Sequence, residues 1–74
     1  MTFGERLRQV RERRGMSQQE LADRAQVSRQ LVYFLESGRR ESTSVEVAKR
    51  IALALGTSVD YLVGTWEETR AAVA

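Results

Sequence analysis

Apolar residues recur along this 74-residue chain at helical rather than strand spacing. Phe3, Leu7 and Val10 fall at i, i+4 and i+7 and line one face of a first helix. Gly15 closes that helix, as the residue that takes positive φ at least cost. Ser17-Gln18-Gln19-Glu20 then has the form of a capping box, in which hydroxyl and carboxylate each accept from the other residue's amide. A short second helix follows to about Ala25, with Leu21, Ala22 and Ala25 facing inward. Gln26 and Val27 alone separate it from Ser28, a second N-cap residue, and the third helix runs on to about Ser37 and Gly38.

Thr43-Ser44-Val45-Glu46 offers a further capping box. The fourth helix points Val47, Ala48, Ile51, Ala52 and Leu55 inward and ends at Gly56. Thr57 or Ser58 caps a short fifth helix through Asp60, Tyr61 and Leu62. No stretch alternates apolar and polar residues, and the chain has no proline and no Asn-Gly or Asp-Gly turn. The expected fold is therefore all-α, with five helices in one domain over residues 1–64. Residues 65–74 form a C-terminal tail that either extends as a helix or frays, and no linker sets off a second domain.

Composition narrows how such a fold is held. A chain this short buries only about 60% of the surface its unfolded form exposes. Histidine and cysteine are both absent, which removes disulfides and the ordinary zinc sites. Packing must carry the fold, helped by a partner subunit, and neither a metal nor a cofactor is expected. No apolar run approaches the ~18 residues of a membrane span, and the first residues lack a signal-peptide stretch. The expectation is a cytoplasmic protein with no membrane partner. Without histidine, cysteine or a glycine-rich phosphate loop, and with acids scattered among arginines, no catalytic constellation is present. An enzyme is not expected.

The net charge of +2 names no partner, but its distribution is uneven. Residues 1–40 hold nine arginines against five acids, while residues 41–74 hold three bases against five acids. That asymmetry favours one face suited to a polyanion. Two short helices joined by a turn of about three residues also have the form of a helix-turn-helix.

Particular residues give that form a family. Arg11, then Gly15 to Ala22, then Val27-Ser28-Arg29-Gln30, then Leu35-Glu36-Ser37-Gly38-Arg39 resemble the Cro/C1-type (XRE-like) helix-turn-helix family of phage and bacterial transcriptional regulators. Ile51 to Gly56 and Val59 to Gly64 resemble its closing helices, so the likeness covers residues 3–64 without a gap. It implies a lambda-repressor-like domain whose third helix enters the major groove of double-stranded DNA. It implies base contacts from Ser28, Arg29 and Gln30, where arginine suits guanine and glutamine suits adenine. Phosphate contacts are implied for Gln18, at a helix N-terminus, and for Ser37, Arg39 and Arg40 beyond the third helix. Arg11 and Glu36 match positions that form an internal ion pair, and the other arginines of the first helix are expected to be solvated. The family's homodimers meet near the turn between the fourth and fifth helices, which makes Leu55, Thr57, Val59 and Trp66 interface candidates.

The sequence also departs from that pattern. Leu31, Tyr33 and Phe34 stand where small or polar residues are usual. Three roles are open for them: Tyr33 and Phe34 contact bases or phosphate, the side chains pack on neighbouring helices, or the face binds a protein partner. The last role belongs to an antitoxin-type regulator or a protein-interaction module rather than a stand-alone repressor. Gln26 occupies a turn position that commonly holds glycine, at a cost of about 1 kcal/mol if its φ is positive. Trp66 has two open roles, covering the underside of the domain or joining a two-fold interface.

Overall fold

The computed structural model describes residues 2–63. Within them lie five helices and no strand: α1 (Phe3–Arg13), α2 (Gln18–Ala25), α3 (Arg29–Ser37), α4 (Val45–Leu55) and α5 (Val59–Leu62). Trp66 and the rest of the tail lie outside the described residues.

Every helix starts on a hydroxyl. Thr2, Ser17, Ser28, Ser44 and Ser58 each take extended backbone and accept from the amide three residues on. Each cap satisfies an orphan donor, worth about 1 kcal/mol. Capping boxes close α1, between Thr2 and Glu5, and α2, between Ser17 and Glu20. Hydrogen bonds from the Thr2 backbone and then its hydroxyl hold the Glu5 carboxyl below its ordinary pKa. The box expected from Thr43 to Glu46 does not form. Ser44 is the cap, its Oγ accepting from Val47 N at 3.2 Å, so Glu46 falls one position short of reaching back.

The core is built from one face of each helix. Leu7, Leu21, Val32, Leu35, Ile51, Leu55 and Leu62 are fully buried, and Val10, Ala22, Ala25 and Ala52 complete the cluster. Val47, expected inward, is only half-buried at its edge. Gly4 lets α1 lie backbone-to-backbone against the end of α3. A Cβ there would overlap the Leu35 carbonyl oxygen and come within 2.9 Å of its carbon.

Two arginines of α1 tie the helices together by their side chains. Arg11 donates from Nε to Glu36 Oε2 at 2.7 Å and from Nη2 to Oε1 at 3.0 Å, a bidentate pair joining α1 to α3. Its third nitrogen donates to the Met16 carbonyl at 2.7 Å. The two side chains are only 11% and 4% exposed, as expected of an internal pair. The Glu36 hydrogen bond holds the Arg11 guanidinium above its ordinary pKa despite burial. A base held above its ordinary value stabilises the fold at every pH below that value, so this contribution persists throughout the neutral range.

Arg14 corrects the expectation that it is solvated. It donates from Nε to the Leu55 carbonyl at 2.8 Å and from Nη2 to the Gly56 carbonyl at 3.4 Å. The cation thereby answers the unpaired carbonyls and negative dipole end of α4. Arg8 is the solvent-facing kind, in an exposed pair with Glu12 one turn away. Arg6 lies over the Tyr61 ring at 5.5 Å.

Gln26 has φ +58° and is the non-glycine residue with positive φ among those described. Gln26→Gly is expected to raise stability by ~0.5–1 kcal/mol in urea unfolding, because relief of left-handed strain exceeds the added freedom of the unfolded chain. Glu36→Ala is expected to lower it by about 3 kcal/mol, leaving Arg11 buried and uncompensated. Replacing both partners, Arg11→Met with Glu36→Leu, should recover most of that loss in the same measurement. A double variant as unstable as the single one would contradict this account.

Candidate nucleic-acid interface

Helix α3 divides its residues by face. Val32 and Leu35 are buried, while Arg29, Gln30 and Tyr33 stand exposed on the opposite side. Arg29 and Gln30 open the helix, and Tyr33 follows one turn later, so the three share a surface. The Ser28 cap fixes where that surface begins, its Oγ accepting from Leu31 N at 3.0 Å.

Gln18 joins them from the neighbouring helix. It is the first residue of α2, and a shallow concavity of about 460 Å³ is lined by Gln18, Arg29, Gln30 and Tyr33. Four of the candidate contacts, read from two separate stretches of sequence, thus meet on one surface. Gln18 Nε2 also donates to Glu36 Oε1 at 3.1 Å, which anchors its side chain to the Arg11–Glu36 pair. One carboxylate therefore connects three helices: Arg11 from α1, Gln18 from α2 and Glu36 itself from α3.

The apolar residues that departed from the expected pattern separate into different environments. Leu31 packs against the core. Phe34 is half-buried, with the Tyr33 ring centroid 5.9 Å away and the Arg39 guanidinium over its face at 5.7 Å. Only Tyr33 offers a large open surface, at 48% exposure. The apolar face suggested by the sequence is consequently much smaller in three dimensions.

Beyond α3 the backbone turns through Gly38, and Arg40 N donates to the Phe34 carbonyl at 3.1 Å. Ser37 Oγ donates to the same carbonyl at 3.3 Å. Arg39 and Arg40 are both exposed on this turn, immediately beyond the helix bearing Arg29. Their neighbourhood contains cationic and hydroxyl donors suited to an anion.

The interface candidates fare unevenly. Leu55 is only 1% exposed and belongs to the core, so its side chain is not available to a second subunit. Thr57 is half-buried, and Val59 is half-buried against the core cluster. The exposed leucine of α4 is instead Leu53, at 82%. Leu53 and Leu55 lie two residues apart, which turns them to opposite sides of a helix, and inward periodicity assigns only Leu55. Trp66 lies outside the described residues.

Among the described residues, no group of three or more His, Cys, Asp or Glu side chains could hold a metal ion. No described helix is long and apolar enough to cross a membrane.

Similarity to known proteins agrees with this arrangement. The sequence matches the helix-turn-helix family over residues 7–62. It is 48% identical over 50 residues to an uncharacterised HTH-type transcriptional regulator of Methanothermobacter thermautotrophicus, covering 68% of this chain and 71% of that protein. The fold is similar to the crystal structure of the restriction-modification controller protein C.AhdI from Aeromonas hydrophila, with a TM-score of 0.77 and 35% identity. That likeness covers 81% of this chain and 89% of the controller. With its capped tandem helices α2 and α3, its buried Arg11–Glu36 pair and these relatives, the chain belongs to the Cro/C1-type helix-turn-helix family of transcriptional regulators.

Proposed function

We propose that this protein is a sequence-specific regulator, acting as a repressor, that binds a near-palindromic operator as a homodimer. The observation that carries the reading is the convergence of Gln18, Arg29, Gln30 and Tyr33 on one surface at the start of α3. A major groove ~12 Å wide admits a helix, and residues at a recognition helix's N-terminus reach base edges there. In this reading Arg29 takes guanine, Gln30 takes adenine, and Ser28 and Tyr33 contact the flanking bases. Phe34 supports Arg39 from beneath, with its ring edge left for a thymine methyl. Gln18, Ser37, Arg39 and Arg40 hold phosphates and fix the register of the helix in the groove.

The dimer contact is proposed at the turn between α4 and α5, through Thr57 and exposed Leu53, with Val59 behind them. Two recognition helices related by a two-fold then sit about 34 Å apart, on half-sites centred about 10 bp from one another. The likeness to a restriction-modification controller supports a small regulator of this kind. Its place of action would be wherever the cell's DNA lies, in the cytoplasm. Because Leu31 is in the core and Phe34 lies under Arg39, a large apolar protein-binding face on α3 is not favoured.

Selection of bound duplexes from a random pool, with the purified chain at moderate salt, is expected to return a palindrome with half-sites one helical turn apart. Failure of a folded chain to enrich any sequence would overturn the reading. On the selected site, Arg29→Ala is expected to weaken binding by ~1–3 kcal/mol and relax preference at one base position. Arg40→Ala should weaken binding evenly across sequences and lower the slope of log affinity against log salt by about one. Titrations at several salt concentrations distinguish the two effects.

A further inference from the structure

On another side of the domain lies a larger groove, of about 750 Å³, between the start of α1, the loop after α3, and helices α4 and α5. Its walls include Phe3, Leu35, Ala48 and Val59, and they are mainly apolar. Val45 also lines it yet is 68% exposed, an uncovered valine at the mouth of an apolar recess. A small domain seldom leaves such a surface open without an occupant.

We infer that the groove is the seat of this chain's own segment 64–74, with Trp66 as the residue that fills it. Val63, the last described residue, is itself part of the groove wall, so the chain leaves the domain at the recess. Trp66 follows three residues later, within about 10 Å of extended chain from Val63. It is the single tryptophan of the protein and the largest apolar side chain available to a cavity of this size. Ala71, Ala72 and Val73 supply further apolar surface in the same segment.

Covalent attachment selects this occupant over a second copy of the chain. A segment joined directly to the wall of its own site has an effective concentration in the millimolar range, which a free subunit matches only at millimolar protein. The inference does not depend on the DNA-binding reading, since no residue proposed to contact bases lines this groove.

Because the tryptophan is unique, its emission reports the site directly in the full 74-residue chain, excited at the red edge where the tyrosines do not absorb. The expected result is a blue-shifted emission, protected from acrylamide, that stays unchanged on dilution to concentrations where sedimentation finds only monomer. Val45→Glu places a charge at the mouth of the groove at an exposed position. It should move the emission to that of tryptophan in water while circular dichroism stays unchanged. Water-like, fully quenchable emission in the unaltered monomer would overturn the inference. So would a blue shift that disappears on dilution, which would assign Trp66 to a contact between copies. An emission untouched by Val45→Glu in a folded variant would place Trp66 elsewhere and overturn it too.

Discussion

The Glu36 carboxylate is the point at which three helices are held in register. A charge buried to this degree is costly in itself, and it is tolerated here because every nearby donor is turned toward it. Arg11 meets it edge-on through two nitrogens and spends a third on the Met16 carbonyl, at the start of the turn into α2. Gln18 closes the arrangement from the first residue of α2. Geometry, rather than raw Coulomb energy, is what such a pair contributes. The planar guanidinium accepts few orientations, so α1 and α3 cannot slide past one another without breaking both bonds. The exposed residues at the start of α3 inherit that fixed pose.

The same economy governs the remaining charges. Arg14 answers the final carbonyls of α4, and the five capping hydroxyls answer the first amides of each helix. With no disulfide available and a small core, directional polar contacts set where each helix starts and how it lies on its neighbours. Hydrophobic burial supplies most of the driving force but is itself non-directional.

Much of this was legible in the order of residues, for identifiable reasons. Helix starts were visible because serine or threonine followed three residues later by glutamate marks a local hydrogen-bond exchange. The inward faces were visible because 3.6-residue periodicity is a property of a single segment. Arg11 and Glu36 were paired through family resemblance, since nothing local connects residues 25 positions apart. The failures have equally physical causes. At Thr43-Ser44 two hydroxyls compete for one cap, and only the path of the preceding loop decides between them. Arg14 bonds carbonyls 41 and 42 residues away, and no spacing rule extends that far. Leu31 and Phe34 could not be assigned before it was known which helix and which arginine lay beside them. Gly4 carries no side-chain signal at all, although it sets how closely two helices approach.

That close approach bears on how the protein tolerates change over evolutionary time. Helices usually rest on one another's side chains, so drift in core volume alters their spacing. Here α1 meets the Leu35 carbonyl with bare backbone, a hard stop that no exchange at Leu7 or Val10 can shorten. Near Gly4 the spacing from α1 to α3 is thereby uncoupled from the exact mixture of leucines and valines behind it. The core is free to wander in sequence while the pose of α3 is inherited unchanged.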